Sequence, residues 1–223
     1  MPVTVDELTI ADEPAAWAAL GFAVAGDTAV VGELRLRFAG RRAATGAGGA
    51  LSWSLRGAAS TNLDGLPTTV ATEPPPAPGP PHPNRIAAVD HVVAITPRLQ
   101  RTIDALGAAG LDLRRVREEP TPAGAPRQAF FRLGPTILEV VEEPAALAAR
   151  NGPDREAFFW GLAFTAPDLD ATLAAIGPAA GEAREAVQPG RRIASLSRDA
   201  GLALPVALIT PPPAREASTA APR

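Results

Sequence analysis

The sequence contains no cysteine and no lysine, and it has only two histidines among 223 residues. Without cysteine there are no disulfides, no thiolate nucleophile and no cysteine-ligated zinc site. Without lysine there is no Schiff-base chemistry. The basic residues are all arginine, beside abundant alanine, glycine and proline, which is typical of a GC-rich genome; arginine-rich recognition of anions is the alternative interpretation. Any chemistry must come from histidine, carboxylates, hydroxyls, arginine or a bound ligand.

Long apolar runs and an excess of positive charge are also missing. No run approaches the roughly 20 residues of a membrane-spanning helix, and the start, MPVTVDELTI, lacks a cationic segment followed by an apolar one. The net charge of -3 offers no basic surface to phosphate backbones. We therefore expect a cytoplasmic protein that binds neither nucleic acid nor a membrane. With 46% hydrophobic residues, the chain can form one large domain or two small ones.

Proline is concentrated in two places. Residues 71–85, ATEPPPAPGPPHPNR, cannot form a helix or an interior strand, and we predict a stiff linker there. Residues 213–223 are polar and begin with proline, and we predict a disordered tail. The linker separates an N-terminal segment, 1–70, from a larger domain at 86–212.

The larger domain contains an internal repeat. Its apolar pattern predicts a strand, a helix and three strands, first in 86–147 and again in 156–212. The helix residues of the two modules superpose at an offset of 70: Leu99 on Leu169, Thr102 on Thr172, Ile103 on Leu173 and Leu106 on Ile176. A repeat this long is unlike the common solenoids. It favours an α+β fold in which paired βαβββ modules form one cupped mixed sheet.

The segment 1–70 is similar to a third, weaker copy of this module. Strands are predicted at 3–10, 28–31, 33–38 and 51–55, and a short helix at 13–20. At an offset of 84 residues, Asp6 and Glu7 superpose on Asp90 and His91. We therefore predict a degenerate additional N-terminal module.

Two polar residues lie on otherwise apolar strand faces. In VDHVVAI, His91 shares its face with Val89, Val93 and Ile95, and in TILEVVE, Glu139 lies between Ile137 and Val141. An ionised carboxylate on such a face needs a cation, a hydrogen-bond donor or a raised pKa. A histidine nitrogen and a carboxylate oxygen suit zinc, iron, manganese or nickel, although a bound metal normally has at least three protein ligands.

The paired modules, the Asp-His opening of VDHVVAITPRLQRTIDALGAAGL and the glutamate of PTILEVVEE resemble the vicinal oxygen chelate superfamily of glyoxalases, bleomycin-resistance proteins and extradiol dioxygenases. That resemblance covers about residues 86–212. It implies a metal site inside the cupped sheet, with His91 and Glu139 as ligands. The second module departs from the pattern, because the matching positions are Gly161 and approximately Val206, which cannot bind a metal through their side chains.

Three interpretations follow. His91 and Glu139 could line a metal-free pocket for a small organic molecule. They could instead hold one divalent metal ion, completed by Glu7 or by His82 of the linker, in a lyase, isomerase or dioxygenase with Glu139 as ligand or general base. They could also be a structural pair in a protein that serves assembly. Exposed strand edges would allow a homodimer.

Weaker candidates for ligand contacts are Trp160, Arg127 and Arg191. Trp160 follows Phe159 at the start of the second module, where core packing of both rings is the alternative. Arg191 follows a Pro-Gly turn and could bind a carboxylate or phosphate, although a solvated charge is the simpler interpretation. The same alternatives apply to Arg127 and the adjacent Gln128. His82 is expected to be an exposed linker residue.

Overall fold

The computed structural model describes residues 2–43, 50–122 and 124–213, so most of the predicted tail lies outside the described residues. It contains two mixed β-sheets and four α-helices among those residues. The first sheet consists of β1 (Thr4–Ile10), β2 (Thr28–Val31), β3 (Leu34–Phe38), β4 (Ala50–Arg56) and β5 (Thr68–Val70). The second sheet consists of β6 (Ala88–Thr96), β7 (Asp112–Arg117), β8 (Gln128–Leu133), β9 (Thr136–Glu142), β10 (Phe158–Thr165), β11 (Arg184–Glu185), β12 (Arg192–Ser195) and β13 (Val206–Ile209). The helices are α1 (Pro14–Ala19), α2 (Leu99–Ala108), α3 (Ala145–Asn151) and α4 (Leu169–Ile176).

The second sheet is made of two βαβββ modules, as the repeat predicts. Its strand order is β11-β12-β13-β10-β6-β9-β8-β7, with the first strands β6 and β10 antiparallel at the centre. Each first strand is parallel to the last strand of its own module. Val92 pairs with Leu162, and the pairs on either side exchange under the offset of 70 residues. A pseudo-twofold axis therefore passes through this central pair.

The first sheet is a reduced version of the second. Its order is β2-β3-β1-β4-β5, in which β1 is parallel to β3 and antiparallel to β4. The strand predicted at 51–55 does not complete the N-terminal module. It pairs on the other side of β1 and runs parallel to β5, as β10 runs parallel to β13. The degenerate module is confirmed, but it has three strands, and β4 and β5 take the places of a second module's first and last strands.

One hydrophobic core joins the two sheets. Trp17 of α1 is fully buried, and its ring centroid lies 5.8 Å from that of Phe164 in β10. Trp53 of β4 packs edge to face against Phe159 of β10, with centroids 5.0 Å apart. Aromatic pairs of this geometry are favourable contacts. The buried face of the second sheet therefore packs on α1, on β4 and on its own helices α2 and α4.

The proline-rich segment is attached to the first sheet at its C-terminal end. His82, expected to be exposed, is buried, because the backbone N–H of Ala23 donates to its Nδ1 over 3.0 Å and Phe22 packs beside its ring. Burial lowers the pKa of His82, although a hydrogen bond with the backbone of Val30 opposes the shift. Two residues on, the Asn84 amide donates to the backbone oxygen of Leu20.

No helix in the part of the chain that the structure describes is long and apolar enough to cross a membrane.

Candidate functional site

The second sheet has one closed face and one open face. On β6, Val92 and Ala94 are fully buried in the core. The alternate residues His91 and Ile95 are half-buried and lie on the other side of the strand. The same alternation places Glu139 of β9 on that second side. We call this side the open face.

A β-bulge brings Asp90 onto the open face beside His91. On β10 the consecutive residues Ala163 and Phe164 pair with His91 and Val89, so Asp90 is the extra residue in β6. Its Oδ1 lies 2.8 Å from Nδ1 of His91. A carboxylate accepts hydrogen bonds and cannot donate them, so Nδ1 carries the proton of this bond. The other ring nitrogen, Nε2, is then the lone-pair side of a neutral histidine.

Arg191 holds Asp90 from the second module. Its guanidinium donates to Asp90 Oδ2, to the backbone oxygen of Thr210 at 2.6 Å and to Oε1 of Gln188 at 2.6 Å. Burial alone would raise the pKa of Asp90, but hydrogen bonds from His91 and Arg191 outweigh it and hold that pKa below its usual value. Arg191 is therefore a positioning residue, and the solvated turn charge that the sequence favoured is wrong, since only 5% of the residue is exposed.

Glu139 faces the opposite edge of the imidazole. Its Oε2 is 3.5 Å from His91 Nε2, and its Oε1 accepts a hydrogen bond from the amide of Gln128. Burial raises the pKa of Glu139, while the charge of His91 and the Gln128 bond oppose the shift. The ring thus lies between a carboxylate that favours its ionised form, Asp90, and one that retains its proton more readily than an exposed glutamate.

The raised pKa of Glu139 predicts a specific pH dependence. The folded protein keeps this proton to a higher pH than the unfolded chain, so the free energy of unfolding falls as pH rises from the ordinary value of 4.5 through the folded pKa. Glu139→Gln removes that loss. In urea unfolding between pH 4 and pH 8, the variant should gain stability relative to wild type as pH rises. Glu142→Gln, on the same strand with a side chain 20% exposed against 17% for Glu139, should not. A difference between Glu139→Gln and wild type that is constant with pH would contradict the shift.

The residues present do not fit the metal site that the resemblance implies. Asp90 lies at Nδ1 of His91 and Glu139 lies at Nε2, so the two carboxylates are on opposite edges of the ring and cannot bind one ion together with it. Within the described residues, no three histidines or carboxylates form a group that could hold a metal. Two protein ligands are fewer than a stable site normally has.

The second module offers no replacement. The pseudo-twofold axis relates His91 to Gly161, and Val93, which pairs with Glu139, to Ala163, which pairs with Ala207. The counterpart of Glu139 is therefore Ala207 rather than Val206. A Cβ atom at Gly161 would come within 2.9 Å of the backbone oxygen of Pro205, so the backbone there leaves no space for a larger residue.

Glu7 is not brought to His91. Its carboxylate binds Arg37 at 2.9 Å, and Oε2 is 3.4 Å from Arg35, all within the first sheet. The registers place Glu7 at the position of His91 and Arg37 at the position of Glu139. Asp6 is a bulged residue held by Arg56, as Asp90 is held by Arg191. The first sheet thus repeats the geometry of the candidate site, but an ion pair occupies it.

The other predicted contacts lie in different places. Trp160 is the extra residue of a bulge on β10, opposite Val93, and it is 43% exposed, whereas Phe159 is buried in the core. Arg127 lies 3.2 Å from Glu118 and 3.7 Å from Glu142, and these ion pairs are not part of the His91 cluster. His82 lies with Phe22, which contacts Phe164 from the closed side of the sheet.

Asp90 is the site residue that sequence reasoning missed. Neighbours in a regular strand point to opposite faces, so the pattern placed Asp90 away from His91. The one available signal was the superposition of Asp6 and Glu7 on Asp90 and His91, and it did not reveal the two bulges. Two surface clefts of about 580 Å³ and 520 Å³ lie elsewhere: the first around Pro97 and Ala145, the second beside the proline-rich segment.

No protein-family profile and no curated protein matches the sequence. Among solved structures, a triple mutant of 4-hydroxymandelate synthase from Streptomyces coelicolor has a TM-score of 0.61 and 14% identity, covering 97% of this chain and 94% of that chain. Methylmalonyl-CoA epimerase from Mycobacterium tuberculosis has a TM-score of 0.46 and 17% identity, covering 58% and 91%. A hypothetical protein from Bacillus halodurans has a TM-score of 0.46 and 15% identity, covering 57% and 96%.

The similarity to 4-hydroxymandelate synthase extends over both sheets, and that enzyme is a member of the vicinal oxygen chelate superfamily. At this identity the likeness concerns the fold. The resemblance predicted from the sequence is confirmed at that level, and the fold of this chain is the fold of the vicinal oxygen chelate superfamily.

Proposed function

We propose that the chain binds a small organic molecule on the open face of the second sheet, between His91 and Glu139, without a metal ion. The observation that carries this proposal is the gap between His91 Nε2 and Glu139 Oε2. At 3.5 Å it is longer than a good hydrogen bond, so both atoms retain capacity for a ligand. Their side chains are 15% and 17% exposed, which leaves them accessible.

The two atoms offer complementary chemistry. Asp90 takes the Nδ1 proton, so Nε2 of neutral His91 accepts a hydrogen bond. Glu139 accepts when ionised and donates when protonated, and its raised pKa makes the protonated form more accessible. A ligand with a hydroxyl or carbonyl group satisfies both. If the bound molecule reacts, Glu139 is the group of this cluster best suited to transfer a proton.

Trp160 is a proposed second contact with the ligand. It lies in the bulge opposite Val93, next to the strand that carries His91, and its ring is largely exposed. A flat ligand could stack on such a ring.

Metal analysis and thermal shift together test this proposal. Protein purified without a His tag should contain substoichiometric metal, and Glu139→Ala should not change the amount. A screen of planar and dicarbonyl compounds should find one that raises the Tm of wild type. At about 100 times its Kd, such a ligand adds about 2.7 kcal/mol, or roughly 5 °C for a chain of this size. His91→Ala and Glu139→Gln should abolish the shift, whereas Glu142→Gln should keep it.

Two results would overturn the proposal. Stoichiometric metal that is lost in Glu139→Ala would establish a metal site instead. A screen in which no compound stabilises the protein, or in which His91→Ala retains the full shift, would leave the cluster as a structural one.

A further inference from the structure

The open face continues outward from Glu139 across β8 and β7. In the register, Phe130 of β8 pairs with Glu139 on one side and with Arg115 of β7 on the other. Gln128, which binds Glu139, pairs with Arg117, and Arg132 lies two residues beyond Phe130 on the same face. Residues that pair directly across a sheet share a face. Three arginines therefore surround one aromatic ring beside the candidate site.

Two of these arginines have no anionic partner. Within residues 2–43, 50–122 and 124–213, the side chains of Arg115 and Arg132 form no ion pair and no hydrogen bond, and both are exposed. Asp112, directly opposite Arg132, is 3.1 Å from Arg114 instead. Arg117 is held only loosely, at 3.9 Å from Glu119.

This arrangement differs from the other charged positions of the sheets. Elsewhere, arginines on strands are paired, as Arg37 with Glu7, Arg56 with Asp6 and Arg192 with Asp170. Like charges on adjacent strands are destabilising. An uncompensated pair at Arg115 and Arg132 thus costs stability in the free protein, and an anion that binds there would offset that cost.

The geometry also gives the size of the occupant. Neighbouring strands are about 4.8 Å apart, so Glu139 and Arg115 are separated by roughly 10 Å of sheet, with Phe130 between them. Phe130 is half-buried and offers one face of its ring. A carboxylate suits the planar guanidinium groups, and a flat apolar body suits the aromatic floor.

We infer that the ligand is an organic anion, with its carboxylate on Arg115 and Arg132, a flat apolar body over Phe130 and a polar group at His91 and Glu139. This inference rests on the proposed function and specifies the class of ligand. The arginine-rich composition would then have a functional part at these two positions.

Isothermal titration with a matched pair of compounds tests the inference. 4-Acetylbenzoate and 4-acetylbenzamide have the same shape and the same carbonyl group, but only the first is an anion. The acid should bind wild type at least about tenfold more tightly than the amide, and higher salt should weaken only the acid. The double variant Arg115→Gln/Arg132→Gln should bind the two compounds equally.

A second double variant, Arg150→Gln/Arg198→Gln, removes the same charge from two exposed positions outside the open face and should keep the preference for the acid. Equal binding of acid and amide to wild type, absence of binding by both, or a preference that survives in Arg115→Gln/Arg132→Gln would each overturn the inference. If Glu139→Gln abolishes amide binding while the arginine variant retains it, the ligand site stands and the anionic class alone fails.

Discussion

Replacing Phe164 by alanine should lower the free energy of unfolding by about 4 kcal/mol, the range observed when a fully buried aromatic ring is truncated. Phe164 has no exposed surface, and its ring contacts Trp17 and Phe22, with centroids 5.8 Å and 5.3 Å away. Both neighbours precede the proline-rich segment. The cavity would therefore open between the two sheets, and it would weaken the packing of both.

Urea unfolding followed by two signals measures this effect. Trp17 and Trp53 in the N-terminal region dominate the buried tryptophan fluorescence, whereas far-UV circular dichroism reports both sheets. The two transitions should coincide in wild type and should shift together in Phe164→Ala. Phe158→Ala is the matched control, because this half-buried ring lies under the Arg155 guanidinium at 4.7 Å and not between the sheets. Separate transitions for the two signals would show that the N-terminal sheet folds independently of the second sheet.

The sequence was most informative where burial enforces a period. The strands β6 and β10 and the helices α2 and α4 bury alternate or helically spaced apolar residues, so the offset of 70 residues that superposes Leu99 on Leu169 also relates the strand pairs of the sheet. The pairing of β4 was not predictable in the same way. Its alternation shows that it is a strand with one buried face, but β1 has two edges, and nothing in that alternation selects between them.

The candidate site shows the same limit on a smaller scale. His91 and Glu139 could be found because a polar residue on an apolar face is conspicuous. Asp90 could not, because one extra residue in β6 changes which face it occupies, and a bulge without glycine leaves little signal in sequence. The burial of Arg191 depends on a turn that folds back on β13, a long-range contact that local composition does not report.

Arg191 should contribute more to stability than any other arginine of the second sheet. Arg191→Ala removes the partner of Asp90 and leaves a carboxylate only 14% exposed without its guanidinium, as well as ending the bonds to Gln188 and Thr210. Removal of one member of a buried ion pair typically costs about 3 kcal/mol or more. We expect a loss of about 3 kcal/mol in urea unfolding at pH 7.

The neighbouring residue provides the control. Arg192 pairs with Asp170 at 2.8 Å, but both side chains are largely exposed, so solvent screens the interaction and Arg192→Ala should leave stability nearly unchanged. Similar losses in the two variants would contradict the buried role of Arg191.

The pH dependence separates loss of the charge partner from loss of packing. In wild type the pKa of Asp90 lies below the ordinary value of 3.8, so its contribution to stability is present above that value and is lost as pH falls through the folded pKa. Arg191→Ala removes one of the two hydrogen bonds that depress this pKa. The deficit of the variant should therefore narrow in acid, because protonated Asp90 no longer needs the guanidinium. A deficit that persists unchanged at pH 3 would instead mean that Arg191 stabilises the fold through its packing and its bond to Thr210, and that the orientation of His91 does not depend on its charge.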